Sequence, residues 1–144
     1  MESNNNITLY GSTSPNVQKC QLLLKELNIP FNFKQVDLWK GEQKTEEYKK
    51  MFPNAKVPGL VDTNLDIQLF ESSNILLYLV DKYDGQGKYL PKQDKDYKAR
   101  LEVLNWLFWE SSTLGPMSSH HNYYNVFGIE KVQEASIRFN INQN

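Results

Sequence analysis

The stretch from Lys56 to Val80 constrains the fold more than any other part of this chain. Two runs of strand-forming residues, Gly59–Asp62 and Ile67–Phe70, flank a short polar turn, which is the pattern of a β-hairpin. After the second run, apolar residues recur at helical spacing over a stretch too long for a strand, and Ser72 or Ser73 is a suitable N-cap. The stretch therefore predicts a hairpin that leads directly into a capped helix.

Val57-Pro58 stands immediately before the first strand of this hairpin. A proline cannot donate to a β-ladder, so it is tolerated at an edge or at the start of a strand. If this peptide bond is cis, the backbone N–H and C=O of Val57 can face solvent instead of a neighbouring strand. Exposed backbone beside a helix N-terminus can bind a short peptide that carries a carboxylate. The alternative is an ordinary hairpin followed by an ordinary helix.

Strands and helices alternate upstream of the hairpin. The elements predicted there are a strand, a helix, a second strand and a short, exposed helix, over Ile7–Tyr10, Pro15–Leu27, Phe31–Leu38 and Gly41–Met51. Ser14 followed by Pro15 is typical of a helix start. This order indicates a mixed sheet with helices on both faces, in a compact α/β domain that ends at Tyr83.

A helical region is predicted after the Gly-rich connector Asp84–Lys88. Asp96–Leu114 indicates one long helix that is apolar around much of its circumference, so we expect it to be buried on most sides. Gly115-Pro116 should interrupt this helix. A second, weaker helix should then run from Tyr123 to about Phe139.

Composition and charge exclude several classes of protein. Apolar residues make up 40% of the 144, but the longest apolar run, Ile75–Val80, is far shorter than the ~20 residues of a membrane-spanning helix. The net charge of -1 gives no electrostatic basis for binding nucleic acid or an acidic membrane surface. The polar start MESNNN lacks a signal region, and a lone Cys20 forms no internal disulfide, so we expect a cytoplasmic protein.

Several of these motifs together resemble the glutathione S-transferase family. The matching segments are Ser14-Pro15-Asn16, NAKVPGLVD at 54–62 and FESSNILLYLVDKY at 70–83. Two further segments, KGEQKTEEY at 40–48 and LNWLFWESSTLGPM at 104–117, are similar to the nu-class bacterial transferases and the fungal nitrogen-regulator subgroup.

The resemblance implies a two-part fold. Residues 5–86 would form an α/β thioredoxin-like, glutathione-binding N-terminal domain, and residues 94–144 a partial all-helical C-terminal domain. Several helices of the family's C-terminal domain have no counterpart in this sequence, so we expect that domain to be truncated.

The resemblance also implies a glutathione site, and most of its residues have a simpler alternative role. Ser72 would donate to the γ-glutamyl carboxylate, or would only cap its helix. Glu71 would accept from the ammonium group, and the backbone of Val57 would pair with the cysteinyl unit. Lys56 and Gln43 would meet the glycyl carboxylate, although both residue types are ordinary on a solvated surface.

Asn16 and Ser14 are the implied catalytic residues. A thiol with a pKa near ~8.5 is mostly protonated at neutral pH, and hydroxyl and amide donors at a helix N-terminus stabilise its thiolate. The subgroup that this sequence resembles relies on Asn for this purpose, with Ser or Thr two residues earlier. Thr13 is a rival to Ser14 as the secondary donor, and the alternative is that Ser14 and Asn16 only cap the helix.

Neither the cysteine nor the histidines predict chemistry of their own. Cys20 lies on the apolar face of its helix, where a buried thiol is inert, and a thioredoxin-type pair would need a second cysteine. His120-His121 has no further ligand at suitable spacing, so no metal site is predicted. We expect these two histidines in a loop or at the rim of a second-substrate pocket.

Three functional hypotheses follow from these features. The first is a glutathione-binding, transferase-like protein that stabilises the glutathione thiolate for conjugation, peroxide reduction or disulfide exchange. Its partners would be glutathione and a small electrophile, peroxide or disulfide, with a homodimer as a further expectation and with neither nucleic acid nor membrane. The second is a non-catalytic glutathione-binding or regulatory protein, and the third is an inactive truncated relative.

Overall fold

The hairpin lies beside the first strand of the chain in a four-stranded sheet. The computed structural model describes residues 5–127. Its sheet has the order β2-β1-β3-β4 and is formed by β1 (Ile7–Gly11), β2 (Asn32–Gln35), β3 (Gly59–Asp62) and β4 (Ile67–Phe70). β1 is parallel to β2 and antiparallel to β3, and β3 is antiparallel to β4. The predicted mixed sheet is confirmed, and both hairpin strands have the predicted bounds.

Helices cover both faces of this sheet, as predicted. The helices α1 (Pro15–Glu26) and α3 (Ser72–Tyr83) pack together on one face. The core on that face is formed by Ile7, Leu9, Val17, Cys20, Leu24, Leu60, Ile75 and Leu79. On the other face a smaller cluster packs around α2 (Glu46–Met51), and it is formed by Val36, Tyr48 and Phe52. The alternation of side chains along β1 explains this division, since Leu9 joins the first cluster and Tyr10 the second.

Two of the upstream elements are shorter than predicted. The strand expected over Phe31–Leu38 is limited to β2, because the backbone turns away from the sheet after Val36, whose N–H donates to the Gly11 carbonyl at 2.7 Å. The helix expected over Gly41–Met51 is divided into a 3-10 turn, Glu42–Lys44, and α2. The extended backbone of Thr45 separates the two pieces, and its hydroxyl caps α2 by accepting from the Tyr48 N–H.

The chain divides into two units between Pro91 and Lys92, and the described part of the second unit is helical. It consists of α4 (Tyr97–Trp109), a π-helical turn (Glu110–Leu114), α5 (Gly115–Asn122) and a second π-helical turn (Tyr123–Phe127). The predicted interruption at Gly115-Pro116 is wrong. The N–H of Gly115 donates to the carbonyl of Glu110, and this wider turn lets the helix continue past a proline that has no N–H to donate.

The expected burial of the first helix of this unit is also wrong, since α4 contains no buried residue. Leu101, Trp106 and Phe108 are exposed, because residues 5–127 supply too few neighbours to cover a helix that is apolar on most sides. His120 and His121 lie in α5 and not in a loop. The part of the second predicted helix beyond residue 127 lies outside the described residues. Among those described, no helix combines the length and the apolar character that crossing a membrane requires.

Candidate functional site

The peptide bond between Val57 and Pro58 is cis, immediately before β3. The side chain of Val57 is half-buried and packs against both core clusters. Within residues 5–127, neither the N–H nor the C=O of Val57 has a hydrogen-bond partner. The backbone of Val57 is therefore free to pair with an extended ligand.

The start of α3 differs from the prediction in one respect. Neither Ser72 nor Ser73 is the N-cap, because the helix begins at Ser72 and Glu71 occupies the capping position. Glu71 has φ 67°, in the left-handed region, and its side chain makes no capping bond. The first N–H bonded within the helix is that of Ile75, which donates to the Glu71 carbonyl at 3.0 Å. The N–H groups that precede Ile75 and the positive end of the helix dipole therefore point out of the N-terminal end of α3.

The start of α1 follows the prediction. Ser14 is the N-cap, with extended backbone, and Pro15 is the first helical residue. The carbonyl of Ser14 accepts from the N–H groups of Val17 and Gln18 at 3.0 and 2.9 Å, but the Ser14 hydroxyl makes no capping bond. Asn16 follows as an exposed residue in the first turn. Because Ser14 caps only through its backbone, its hydroxyl is not committed to the helix.

The two helix starts meet through Asn16 and Ser72. The hydroxyl of Ser72, a residue that is only 7% exposed, donates to Oδ1 of Asn16 at 3.5 Å. The thiol of Cys20 lies between the same two residues, with its Sγ 3.4 Å from the carbonyl oxygen of Asn16 and 3.8 Å from that of Ser72. The contact brings the Ser72 hydroxyl and the side-chain amide of Asn16, whose Nδ2 is a donor, to the same point between the two helix starts.

The expected inertness of Cys20 is consistent with its surroundings. The residue has no exposed surface, and burial raises the pKa of its thiol to about 12. A thiol with this pKa stays protonated at neutral pH and is a poor nucleophile.

Asn54 connects two further residues of the predicted site, and the sequence did not single it out for this role. Its amide nitrogen donates to Oε1 of Glu71 at 3.3 Å, and its amide oxygen accepts from the N–H of Lys56 at 3.4 Å. The carbonyl of Lys56 in turn accepts from the Tyr48 hydroxyl at 2.9 Å, while the Lys56 side chain is exposed. The turn residues around Asn54, between Pro53 and Ala55, were the available signal, because Asn commonly bonds nearby backbone in turns.

Gln43 lies apart from this group, in the 3-10 turn, and among the described residues it makes no side-chain hydrogen bond with the other predicted site residues. Its Oε1 is nevertheless buried and without a partner. In the described part of the chain, the buried side-chain polar atoms that lack a partner are Ser12 Oγ, Gln43 Oε1 and Ser73 Oγ. Each belongs to, or lies within two residues of, a predicted site residue. An unpaired buried polar atom costs free energy, which a hydrogen bond to a ligand or a water would recover.

Comparison with known proteins finds a family model and many relatives. The model described as "Glutathione S-transferase, N-terminal domain" matches residues 5–81. The disulfide-bond oxidoreductase YfcG of Escherichia coli is 34% identical over 140 residues, which are 94% of this chain and 62% of that protein. Glutathione S-transferase 2 of Schizosaccharomyces pombe is 38% identical over 135 residues, which are 92% of this chain and 57% of that protein.

Solved structures show the same likeness. The transferase URE2P6 of Phanerochaete chrysosporium, in complex with oxidized glutathione, matches with a TM-score of 0.85 and 33% identity. The structure of Ure2p in complex with glutathione matches with a TM-score of 0.84 and 29% identity. Each match covers 96% of this chain and 63% of the other chain. The chain thus spans less than two thirds of the length of these relatives.

Proposed function

The chain belongs to the glutathione S-transferase family, and from that membership we propose that it binds glutathione and holds the glutathione sulfur as a thiolate. The observation that carries this proposal is the contact between Asn16 and Ser72. It joins a candidate thiolate donor in the first turn of α1 to a candidate carboxylate donor at the start of α3. Glutathione places its thiol and its γ-glutamyl carboxylate on adjacent units, so one molecule can meet both.

The start of α3 would bind the γ-glutamyl end of glutathione. The unpaired N–H groups of its first turn and the helix dipole favour a carboxylate. The Ser72 hydroxyl has one proton, so donating it to the ligand replaces the 3.5 Å bond to Asn16, which is at the outer limit of hydrogen-bond distance. Glu71, held by Asn54, would accept from the ligand's ammonium group.

The rest of the peptide would follow the segment before β3. The cysteinyl unit would pair with the free N–H and C=O of Val57, as in the addition of one strand residue. Lys56, whose side chain is exposed, would meet the glycyl carboxylate. Gln43 would contact the same carboxylate through Nε2, the donor of its side-chain amide, because a carboxylate only accepts.

Asn16 and Ser14 would stabilise the thiolate. The amide Nδ2 of Asn16 and the uncommitted hydroxyl of Ser14 are donors at the positive end of α1, and together they favour the charged form of a nearby thiol. The nucleophile belongs to glutathione, and the protein supplies its position and its ionisation. Conjugation, peroxide reduction and disulfide exchange all begin with this thiolate.

Calorimetric titration with glutathione tests the binding proposal. Unmodified protein should bind, and Ser72→Ala should weaken affinity by roughly tenfold to a hundredfold, because a hydrogen bond to a charged group contributes about 1.5–3 kcal/mol. Asn74→Ala is the matched control, since Asn74 is an exposed residue of the same helical turn, and it should bind as the unmodified protein does. Equal affinities for the Ser72 and Asn74 variants, or no binding by the unmodified protein, would contradict the proposal.

Binding without turnover is the second candidate function. It is favoured by the absence of buried residues in α4, because a second-substrate pocket requires walls that exclude water. A protein of this kind would bind glutathione in the titration above, yet would show no turnover with electrophiles, peroxides or disulfides. Asn16→Ala would then change no measured rate.

A further inference from the structure

The peptide unit between Lys56 and Val57 has one polar group that is bonded and one that is free. Its carbonyl, that of Lys56, accepts from the Tyr48 hydroxyl at 2.9 Å, while its N–H, that of Val57, has no partner within residues 5–127. The unit is trans, so it is planar and its C=O and N–H point in opposite directions. The bond from Tyr48 therefore fixes the direction of the Val57 N–H, which points away from the Tyr48 hydroxyl.

The Tyr48 hydroxyl is held in place by a buried aromatic cluster. The residue is 5% exposed, and the centroid of its ring lies 5.0 Å from that of Phe52 and 6.4 Å from that of Tyr10. At the start of α2, its N–H donates to the Thr45 hydroxyl at 3.3 Å. Chiefly burial raises the pKa of Tyr48 to about 12, so the phenol keeps its proton at neutral pH and remains a donor. A donor fixed in this way holds the Lys56 carbonyl in one orientation.

A second side chain restrains the backbone of Lys56 on its other side. Oδ1 of Asn54 accepts from the Lys56 N–H at 3.4 Å. The intervening Ala55 has φ 52°, in the left-handed region that residues with a side chain rarely adopt. The two polar backbone groups of Lys56 are thus both bonded within the protein, and the next residue, Val57, has both of its own free. A restrained backbone loses less conformational entropy when its free groups bind a ligand.

The bond from Tyr48 also affects the strength of the free donor. Hydrogen bonds in a chain polarise one another, so a carbonyl that accepts a proton makes the N–H of its own amide a better donor. The chain here runs from the Tyr48 hydroxyl, through the amide shared by Lys56 and Val57, to an acceptor on a ligand. The simpler alternative is that the bond only satisfies the hydroxyl of a buried tyrosine, which usually has a partner.

We infer that Tyr48 is a positioning residue of the glutathione site, whose hydroxyl aims and strengthens the Val57 N–H as donor to the cysteinyl carbonyl. The inference rests on the proposed function, in which the cysteinyl unit pairs with Val57. Tyr48 acts through the peptide unit and does not contact the ligand. It would thereby connect the α2 face of the sheet to a site formed at the starts of α1 and α3 on the other face.

Tyr48→Phe tests this role, because it removes the hydroxyl and keeps the ring. The measured quantity is the affinity for glutathione divided by the affinity for γ-glutamylcysteamine, each obtained by calorimetry. The second ligand has the γ-glutamyl end and the thiol but lacks the cysteinyl carbonyl. Tyr48→Phe should lower this ratio by roughly threefold to tenfold, the range for one hydrogen bond between neutral groups, and should change the affinity for γ-glutamylcysteamine little. γ-Glutamylcysteinamide, which has the carbonyl without the glycyl unit, should lose affinity as glutathione does.

Tyr10→Phe is the matched control, because it removes a hydroxyl from the same aromatic cluster, while the Lys56 carbonyl is bonded to the other tyrosine. It should leave the ratio unchanged. Urea denaturation establishes that both variants are folded under the conditions of the titration.

A measurement on the unmodified protein does not depend on the folding of any variant. In proton–nitrogen correlation spectra, the amide proton of Val57 should move downfield when glutathione is added, because it gains an acceptor. It should move much less with γ-glutamylcysteamine.

The outcomes separate this inference from the proposed function. If the protein binds glutathione and Tyr48→Phe leaves the ratio unchanged, the positioning role is overturned and glutathione binding stands. An equal loss of affinity for both ligands would also overturn it, because the hydroxyl would then serve only the fold. A Val57 amide that does not respond to bound glutathione would overturn it as well. Unmodified protein that binds no glutathione would overturn both the inference and the proposed function.

Discussion

Ser72 donates to the amide oxygen of Asn16 across 3.5 Å, although 56 positions separate the two residues in the chain. The contact exists because α1 and α3 pack side by side on one face of the sheet and begin at the same end. Each helix start alone would be an ordinary N-terminus. Together they form the proposed site, whose donors are suited to both a carboxylate and a thiolate.

Asn16→Ala should reduce turnover and shift its pH dependence. Loss of one preorganised donor to a developing charge lowers the rate by roughly 100-fold, and the pKa of the bound glutathione thiol should rise. The shift is visible as a rate profile displaced to higher pH, and as ultraviolet thiolate absorbance that appears at higher pH. Gln18→Ala, at an exposed position of the same helix, should match the unmodified protein. An undisplaced profile in Asn16→Ala would contradict the assignment.

Asp62→Asn should destabilise the first unit at neutral pH. Asp62 has no exposed surface, and its carboxylate accepts from the Tyr78 hydroxyl at 2.5 Å and from the Asn64 N–H at 2.9 Å. Burial raises the pKa of Asp62, but these bonds and the charge of Lys82 lower it more, so the net pKa lies below its usual value. The amide variant should lose about 2 kcal/mol of unfolding free energy at pH 7, measured by urea denaturation.

The sign of the pH dependence follows from the lowered pKa. The stabilisation by Asp62 is present above the unfolded pKa, near ~3.9, and is lost as the pH falls through the folded value. The difference between Asp62→Asn and the unmodified protein should therefore shrink in acid. Asp66→Asn, in the exposed turn of the same hairpin, should cost little at either pH. Equal stability of the Asp62 variant at pH 7 would refute this account.

Gly59→Ala should destabilise the first unit through a steric clash. A Cβ at this position would lie 2.5 Å from Cε2 and Cζ of Phe52, whose ring is fully buried and in contact with the rings of Tyr10 and Tyr48. Since that ring has no room to move, we expect a loss of about 2 kcal/mol, measured by urea denaturation. Gly85→Ala is the control, because no atom lies within 4 Å of its added Cβ. Comparable stability of the two variants would contradict the prediction.

Cys20 should resist alkylation in the native protein. Its thiol is buried with a pKa raised to about 12, so iodoacetamide at pH 8 should react with it only as fast as the first unit unfolds. The measurement is mass spectrometry over time, with the same protein in guanidinium as the positive control. Rapid labelling of native protein would show that the two helix starts separate readily.

The sequence predicted the parts of the fold that depend on local pattern. The hairpin strands and the start of α1 were predicted to the residue, because turn residues and the Ser14-Pro15 pair specify them locally. The prediction that Ser72 or Ser73 caps α3 was wrong, because Glu71, whose backbone is left-handed, occupies the N-cap position. The helix through Gly115-Pro116 was missed because its π-helical turn has no local signature.

The site was less accessible to sequence reasoning than the fold. Local pattern placed Ser14 and Asn16 at one helix start and Ser72 at another, but the meeting of Asn16 and Ser72 depends on tertiary packing. The bridging role of Asn54 arises in the same way, from a contact between segments that are separate in the chain. The assigned ligand roles, a homodimer and a cytoplasmic location stay predictions.

The position of Cys20 between the carbonyls of Asn16 and Ser72 has a consequence for engineering. A small side chain of the hydrophobic interior thus lies between the starts of α1 and α3, on the same helix face as Val17 and Leu24. Changes of side-chain volume at this depth would therefore alter the distance between the two helix starts, and with it the geometry of the proposed glutathione site. The proposed site can thus be reshaped from the interior, while the residues on its surface stay unchanged.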